Sequence, residues 1–304
     1  MRAAITAVFV VVILLVALEP FIKGRITGLA IQSEDEFNYT IHFCSETNCL
    51  HIIKQMINAS KSECAMYNFE QGMGKVDLVT DNNYKEDIEA VKDNRSGLMH
   101  NKFCVFNGTT ILTGSFNIRS SPNDQNNLII IKSRQLSRNY EDEFRELHSG
   151  TFGSGKKTAR TEIYLNGTKI ENYFCPEDEC AQHVINALHK AKSSIHFMAY
   201  SFTHKGIANE LVIKGQEMEV SGIIDRSSDK KVFELLKEQN ISVKLYRKKG
   251  IMHQKVFIID NDTVITGSFN PTYSADQKND ENLLIIHNKQ VAQRYMEEFE
   301  RVME

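Results

Sequence analysis

The polar residues best suited to chemistry lie in a phrase that the sequence contains twice. In the second copy, GIMHQKVFIIDNDTVITGSFN, His253 and Lys255 are two residues apart, and so are Ser268 and Asn270. Alternate residues of a strand project from one face, so each pair should point to the same side. A lysine with hydroxyl and amide donors suits a bound phosphoryl group, and a histidine suits proton transfer or attack on phosphorus.

The first copy, GLMHNKFCVFNGTTILTGSFN, keeps these polar residues at the same spacing. It supplies His100, Lys102, Ser115 and Asn117. Duplication of a fold alone would preserve the apolar periodicity but not these polar identities. The repeat therefore predicts one shared site in which two imidazoles flank one phosphorus. One imidazole attacks and the other protonates the leaving oxygen, while the lysines and neutral donors oppose the phosphoryl charge.

The repeat extends through most of the chain and sets its organisation. HFCSETNCLHIIKQ, from His42, corresponds to YFCPEDECAQHVIN, from Tyr173, and each half closes with a helical pattern. The period is too long for a solenoid, so it indicates one domain duplicated and fused. We predict an α/β fold of two similar lobes, each a mixed sheet flanked by helices, related by a pseudo-two-fold axis. The predicted ranges are 38–150 for the first lobe, 151–160 for a linker and 161–304 for the second lobe.

The two halves differ in length. Within each half the predicted order is helix, strand, strand, helix, strand hairpin, strand and helix. The first half has no evident counterpart of HKGIANELVIKGQEM, from His204, or of ISVKLYRK, from Ile241. We therefore expect the first lobe to have a smaller sheet and a more open wall.

The repeated phrase H-x-K-x4-D-x6-G-S-x-N resembles the signature of the phospholipase D superfamily, the HKD phosphodiesterases. The second copy fits completely, and the first departs only at Asn107, where the second has Asp260. AKSSIHFMAYSFT, from Ala191, also looks like the branch of small endonucleases and mitochondrial cardiolipin hydrolases. The resemblance covers nearly all of the chain after residue 40 and implies a phosphohistidine intermediate formed without a metal or other cofactor. It leaves the substrate open, because members cleave phospholipids, transfer phosphatidyl groups or cut nucleic acids.

The resemblance also implies that an acidic residue downstream of GSxN orients a catalytic histidine. Glu281 occupies this place in the second copy, and Asn126 occupies it in the first. Asp260 and Glu281 would then lie near His253 and raise its basicity. This hypothesis favours His253 over His100 as the nucleophile, although the first histidine attacks in many members of the family.

The asparagines of the first copy have two other interpretations. Asn107-Gly108 is a favoured two-residue hairpin turn, so residue 107 would serve the turn alone. Alternatively, Asn107 and Asn126 mark a decaying site in a protein kept as a phosphate-binding module. Both histidines and both lysines remain, which favours an enzyme.

The first 25 residues differ from the rest of the chain. Arg2 precedes about sixteen mostly apolar residues, a length between a signal-peptide core and a spanning helix. No convincing small-x-small cleavage site follows, so we expect a single-pass, uncleaved signal anchor over residues 1–25. Its orientation is poorly set by charge, because Arg2 and the amino terminus compete with Lys23 and Arg25.

Two features favour an extracytoplasmic body. N-glycosylation sequons begin at Asn38, Asn58, Asn94, Asn107, Asn166, Asn240 and Asn261. The matched pairs Cys44 with Cys49 and Cys175 with Cys180 suit disulfides in an oxidising compartment, and a shared metal site is the alternative. Cys64 and Cys104 lie in apolar strand-like runs, where we expect them to pack in the core.

The net charge of −3 gives no strong global field toward nucleic acid or anionic lipid. We expect a membrane-anchored enzyme that hydrolyses phospholipid phosphodiester bonds at a bilayer, active as a monomer through its internal pseudodimer. The alternatives are an anchored endonuclease acting on single-stranded DNA or RNA and a phosphatidyl transferase.

Overall fold

The computed structural model describes residues 37–83 and 87–304. The predicted anchor at residues 1–25 lies outside these ranges. Within them, no helix is both long enough and apolar enough to cross a bilayer.

The first lobe is built from one sheet and two helices in its described part. In chain order its elements are β1 (Asn38–Phe43), α1 (Cys49–Ala59), β2 (Ser62–Met66), β3 (Asp77–Asp81), β4 (Val91–Asp93), β5 (Lys102–Phe106), β6 (Thr110–Gly114), β7 (Asn127–Lys132) and α2 (Arg134–His148).

The second lobe follows after residues 149–161, which contain neither helix nor strand. Its elements are β8 (Glu162–Leu165), β9 (Thr168–Cys175), α3 (Cys180–His189), β10 (Ser194–Ala199), α4 (Lys205–Gly215), β11 (Glu219–Asp225), α5 (Lys230–Glu238), β12 (Ser242–Tyr246), β13 (Lys255–Ile259), β14 (Thr263–Gly267), α6 (Tyr273–Gln277), β15 (Glu281–His287) and α7 (Lys289–Met303).

Each lobe contains a mixed sheet, as predicted. The strand order is β1-β7-β6-β5-β2-β3-β4 in the first and β12-β11-β10-β13-β14-β15-β9-β8 in the second. In both, three strands pair in parallel at one edge and the rest pair antiparallel. The central strands β5 and β13 are buried on both faces, which explains why they read as continuous apolar runs. The predicted α/β fold of two similar lobes is confirmed.

The sequence misjudged part of the first lobe. Its sheet does contain a counterpart of β12, because β4 pairs in parallel with β3 as β12 does with β11. Three residues with the sequence VKD carry too little periodicity to be recognised as a strand. The described first lobe has no helix between β2 and β3, whereas α4 joins β10 and β11. Each lobe also contains an antiparallel strand, β1 or β9, that the predicted order omitted.

One apolar cluster joins the two lobes. It contains Phe43 and Tyr140 of the first lobe together with Phe174 and Tyr295 of the second, all of them buried. Separate clusters lie under α1 in the first lobe and under α3, α4 and α5 in the second. Because the lobes share a core, their relative placement is fixed by apolar burial as well as by polar contacts.

Three disulfides are present. Cys44–Cys49 and Cys175–Cys180 join the matched pairs. Cys64 and Cys104 lie buried in the core as expected, but they also form a third disulfide that the sequence did not predict. They lie directly opposite each other on β2 and β5, a relation that depends on strand register and cannot be read from their positions in the sequence.

We expect the Cys64–Cys104 disulfide to contribute more stability than either local one. It links residues 40 apart, whereas Cys44–Cys49 links residues 5 apart. Chain entropy alone gives about 4 kcal/mol for the long loop and about 2 kcal/mol for the short one. Urea denaturation of the Cys64→Ala/Cys104→Ala and Cys44→Ala/Cys49→Ala variants measures the difference. Equal losses of unfolding free energy would contradict this expectation.

Candidate active site

The backbone of each motif histidine, His100 and His253, is hydrogen-bonded to the backbone of the opposite lobe. The His100 N–H donates to the Asp280 carbonyl at 2.9 Å, and the Asp280 N–H donates back to the Leu98 carbonyl at 2.8 Å. The second lobe repeats this arrangement, since the His253 N–H donates to the Gln125 carbonyl at 3.0 Å. The two histidine segments therefore lie at one inter-lobe junction.

The side chain of His100 is oriented by a carboxylate of the second lobe. Its Nδ1 lies 2.8 Å from both oxygens of Glu281. A carboxylate partner keeps the proton on Nδ1 and leaves the lone pair on Nε2. The Nζ of Lys102 lies 3.0 Å from that Nε2. Glu281 also accepts from the Ser268 hydroxyl at 2.6 Å and from the Asn279 amide at 3.3 Å.

The side chain of His253 is oriented by an amide of the first lobe. Its Nδ1 lies 2.8 Å from Oδ1 of Asn126. The same Oδ1 accepts from the Ser115 hydroxyl at 3.1 Å, while the Asn126 Nδ2 donates to Ser120. Lys255 donates from Nζ to the His253 carbonyl at 2.7 Å. The two halves thus repeat one geometry, with an amide where the other half has a carboxylate.

These contacts correct the expected pairing. The sequence placed Glu281 beside His253, but Glu281 contacts His100 and Asn126 contacts His253. Asn126, just before β7, and Glu281, at the start of β15, each contact the opposite lobe, so each lobe supplies the partner of the other lobe's histidine. The motif alone cannot reveal this exchange, because it is a property of how the lobes pack.

Asp260 was expected near His253 and lies elsewhere. It occupies the turn between β13 and β14, and its carboxylate accepts from the backbone N–H groups of Lys192, Ser193 and Ser194 at 2.7–3.1 Å. Burial alone would raise the pKa of Asp260, but these hydrogen bonds outweigh it and hold the pKa below its ordinary value. Asp260 therefore ties the hairpin to the segment before β10.

Asn107 has the same structural task in the first lobe. Its Oδ1 accepts from the Lys61 N–H at 3.0 Å, just before β2. Both Asn107 and Asp260 have positive φ angles, 52° and 55°, which Asn and Asp tolerate better than most residues. The interpretation of residue 107 as a turn residue accounts for its contacts.

The four predicted phosphate-binding residues divide into two kinds. The Ser268 and Ser115 hydroxyls donate to Glu281 and Asn126 and accept from the N–H groups of Asn282 and Asn127. These serines position the histidine partners. Asn117 and Asn270 have buried Oδ1 atoms without a hydrogen-bond partner in the described chain. Their Nδ2 groups also donate to no partner in the described chain, so Asn117 and Asn270 remain the amides that can donate to a bound anion.

Two tyrosines complete the site and were missed from sequence. Tyr67 lies edge-on to His100 and Tyr200 edge-on to His253, with ring centroids 4.9 and 4.8 Å apart. The nearby lysine Nζ lies 5.3 Å from the ring centroid in both cases. The repeat did contain the signal, since YNF and YSF occupy matching places after β2 and β10.

Asp81 and Asp225, the last residues of β3 and β11, also support the site. Each accepts from backbone N–H groups of its own turn, at Asn83 and Ser227. Each also accepts from the N–H of the residue before a histidine, at 3.0 Å from Met99 and 2.7 Å from Met252. These carboxylates therefore hold in place the backbone just before His100 and His253.

The site concentrates buried positive charge. Burial, followed by repulsion from Lys102 and Lys255, lowers the pKa of His100 and of His253 well below the ordinary value. Burial also lowers the pKa of Lys102 to about 7, against the attraction of Glu281. Burial raises the pKa of Glu281 to about 7, against Lys102 and its hydrogen bonds. A bound anion would relieve the repulsion and favour protonated lysines.

One group of carboxylates within the described ranges has the spacing of a metal site. The ligand oxygens of Glu143, Glu146 and Glu177 all lie within 4.8 Å of one another. No hydrogen bond connects them to His100 or His253 in the described chain. The candidate active site itself offers cations and amides, which suit an anion.

Comparison with known proteins gives consistent findings. A family model described as cardiolipin synthase, phospholipase D-like domain, matches residues 40–148 and 184–303. A phospholipase D of Rickettsia conorii is 36% identical over 137 residues, covering 44% of this chain and 68% of that protein. A mitochondrial cardiolipin hydrolase of Mus musculus is 31% identical over 125 residues, covering 40% and 57%.

A solved structure resembles the fold over most of the chain. The phosphatidylserine synthase of Haemophilus influenzae has a TM-score of 0.64 and covers 88% of this chain and 87% of its own. At 12% identity the likeness concerns the fold alone.

We expect the affinity for sulfate to fall as pH rises through about 7, by up to about tenfold per pH unit for one linked proton. The reason is that Lys102, with its pKa of about 7, loses its charge over this range, whereas sulfate does not titrate there. Isothermal titration calorimetry measures the trend. Lys102→Met should weaken binding and flatten the trend, while Lys61→Met, at an exposed position, should change neither. Affinity that rises with pH would contradict the assignment.

Proposed function

The chain belongs to the phospholipase D superfamily, and on this basis we propose that it hydrolyses phosphodiesters through a covalent intermediate on His100. The supporting observation is the pair of buried histidines at one inter-lobe junction, each with its Nδ1 engaged and a lysine beside it. With each Nδ1 engaged, each Nε2 is left for the reaction, which supports the proposal that both act on one bound phosphoryl group, as in-line displacement at phosphorus requires.

The reaction proceeds in two displacements. In the first, the His100 Nε2 forms a bond to phosphorus, the bond from phosphorus to the leaving alcohol breaks, and His253 gives its Nε2 proton to that alcohol. In the second, His253 takes a proton from water as the water oxygen bonds to phosphorus and the nitrogen–phosphorus bond breaks. Lys102, Lys255, Asn117 and Asn270 oppose the negative charge on the phosphoryl oxygens.

The roles of the two histidines are assigned from their different partners, Glu281 beside His100 and Asn126 beside His253. Attack places positive charge on the His100 ring, and the Glu281 carboxylate stabilises that charge directly. The Asn126 amide accepts from His253 without a negative charge, so protonated His253 is the stronger acid and the better proton donor. The sequence-based preference for His253 as nucleophile depended on Asp260 and Glu281 lying beside it, which they do not.

Phospholipid is the substrate that we propose. Relatives bear the names phospholipase D and cardiolipin hydrolase, and the apolar segment at residues 1–25 would hold the cleft beside a bilayer. The proposal thus includes a membrane location, with residues 38–150 and 161–304 as the lobes of one monomeric enzyme.

Single-stranded nucleic acid is the second candidate. Tyr273, three residues after Asn270, is 67% exposed and lies at 18° to the ring of His204. An exposed aromatic ring near a phosphate site is the feature on which unpaired bases stack.

A paired turnover assay on the full chain tests the proposal. Vesicles of anionic and of zwitterionic phospholipids are offered beside labelled single-stranded DNA and RNA, in excess EDTA. We expect headgroup release that is lost in both His100→Asn and His253→Asn. Cleavage of nucleic acid alone would move the enzyme to the second candidate, and no turnover of any substrate would contradict both.

An aryl phosphodiester with a good leaving group separates the two histidines. Such a leaving group needs no proton, so His253→Asn should still form the phosphohistidine but hydrolyse it slowly. His100→Asn should form none. Mass spectrometry of alkali-quenched protein locates the phosphoryl group, and its appearance on His253 in the His100→Asn variant would reverse the roles.

We expect Glu281→Gln to lower kcat by about 10²–10⁴-fold, because glutamine can orient Nδ1 but cannot neutralise the charge that forms on His100. Asp260→Asn is the matched control at a motif carboxylate outside the site. It should leave kcat unchanged and reduce the unfolding free energy by about 1–2 kcal/mol through its weakened backbone hydrogen bonds. Steady-state kinetics and urea denaturation measure both. A similar loss of kcat in the two variants would show that Asp260 serves the site.

A further inference from the structure

The asparagines of the seven sequons differ from the other asparagines in their exposure to solvent. All seven sequon asparagines are exposed, whereas only five of the other seventeen in the described ranges are. The exposed non-sequon asparagines are Asn48, Asn82, Asn83, Asn186 and Asn209. Buried asparagines such as Asn127 and Asn282 belong to the inter-lobe network. Sequons created by a high asparagine content alone would fall into both classes.

Four of the sequons present a suitable acceptor in a turn. Asn107, Asn166 and Asn261 lie in hairpin turns, and Asn240 lies in the turn before β12. All four have positive φ angles between 45° and 59°. The side chains of Asn166, Asn240 and Asn261 make no hydrogen bond within the described chain, and Asn107 uses only its Oδ1. The Nδ2 atom of each is therefore unengaged, and each of the four residues is exposed.

Strand pairing places these turns away from the cleft. The histidines stand before β5 and β13, so the far ends of these strands lead into the turns at Asn107 and Asn261. Asn166 lies in the turn just before Thr168 and Lys169, and Lys169 pairs with His287 at the end of β15 that lies away from the cleft. Asn240 precedes Ser242, which pairs with Ser221 near that end. Asn94, by contrast, follows β4 at the cleft end of the first sheet.

We propose that Asn107, Asn166, Asn240 and Asn261 carry N-linked oligosaccharides added in the lumen of a secretory compartment. In this step Nδ2 bonds to the anomeric carbon of a lipid-linked oligosaccharide diphosphate. The bond from that carbon to the diphosphate breaks, the diphosphate takes the electron pair, and the amide releases a proton. Three disulfides are independent support, because they persist in oxidising compartments. The catalytic lobes then work on the extracytoplasmic side of the membrane.

The test uses the full chain produced in a eukaryotic cell line. An endoglycosidase specific for N-linked glycans should increase electrophoretic mobility, and peptide mass spectrometry should find Asn-to-Asp conversion at the four turn positions. The variants Asn166→Asp, Asn240→Asp and Asn261→Asp should each remove one step of the shift. Asp tolerates positive φ and lacks the amide nitrogen, so these variants keep the turns.

Asn186→Asp is the matched control, since Asn186 is exposed but no Ser or Thr follows two residues later. It should leave the mobility shift unchanged. Insensitivity to the endoglycosidase would overturn the proposal, as would glycans confined to Asn38, Asn58 and Asn94. Deglycosylated protein should keep its phosphodiesterase rate, and an altered rate would contradict the placement of the glycans away from the cleft.

Discussion

The active site depends on two backbone exchanges between the lobes. Met99 pairs with Asp280 and Met252 pairs with Gln125 in two parallel bridges, in which the N–H of the next residue, His100 or His253, donates to the carbonyl of Asp280 or Gln125. A bridge fixes the backbone of a histidine and brings the next residue of the opposite lobe, Glu281 or Asn126, against its imidazole. Separation of the lobes would thus remove the orienting partner of both histidines at once. The shared apolar core holds the lobes in the register that these bridges need.

Arginines strengthen each bridge by different means. Arg95 binds both Asp93 and the Asp280 side chain, at 2.8 and 2.5 Å, and so connects the first lobe to the residue whose carbonyl accepts from the His100 N–H. Arg301 donates to the Gln125 side chain at 2.7 Å and forms an ion pair with Glu298. The supports are equivalent in purpose but come from a loop in one case and from α7 in the other. The bridges obey the pseudo-two-fold symmetry, whereas these arginine contacts do not.

The sequence predicted what strand periodicity and repetition determine. Periodicity and repetition together predict two lobes, a mixed sheet in each, and residue pairs on one face of a strand, such as His100 with Lys102. The sequence could not predict which lobe supplies each histidine partner, because that depends on packing between residues 181 apart for His100 and 127 apart for His253. The same reason hid the Cys64–Cys104 disulfide, which needs the register of β2 against β5. Asp260 was misassigned since a motif records which residues recur, not whether each serves catalysis or a turn.

Fusion of the two copies explains how the site became unequal. Two identical chains around a true two-fold axis must give both histidines the same partner. In one chain the copies change separately, so a carboxylate can remain beside His100 while an amide stands beside His253. A second buried carboxylate would favour protonation of His253 and weaken it as an acid. The amide keeps the tautomer through its hydrogen bond without that charge. In the proposed mechanism this asymmetry separates a nucleophile, His100, from a proton donor, His253.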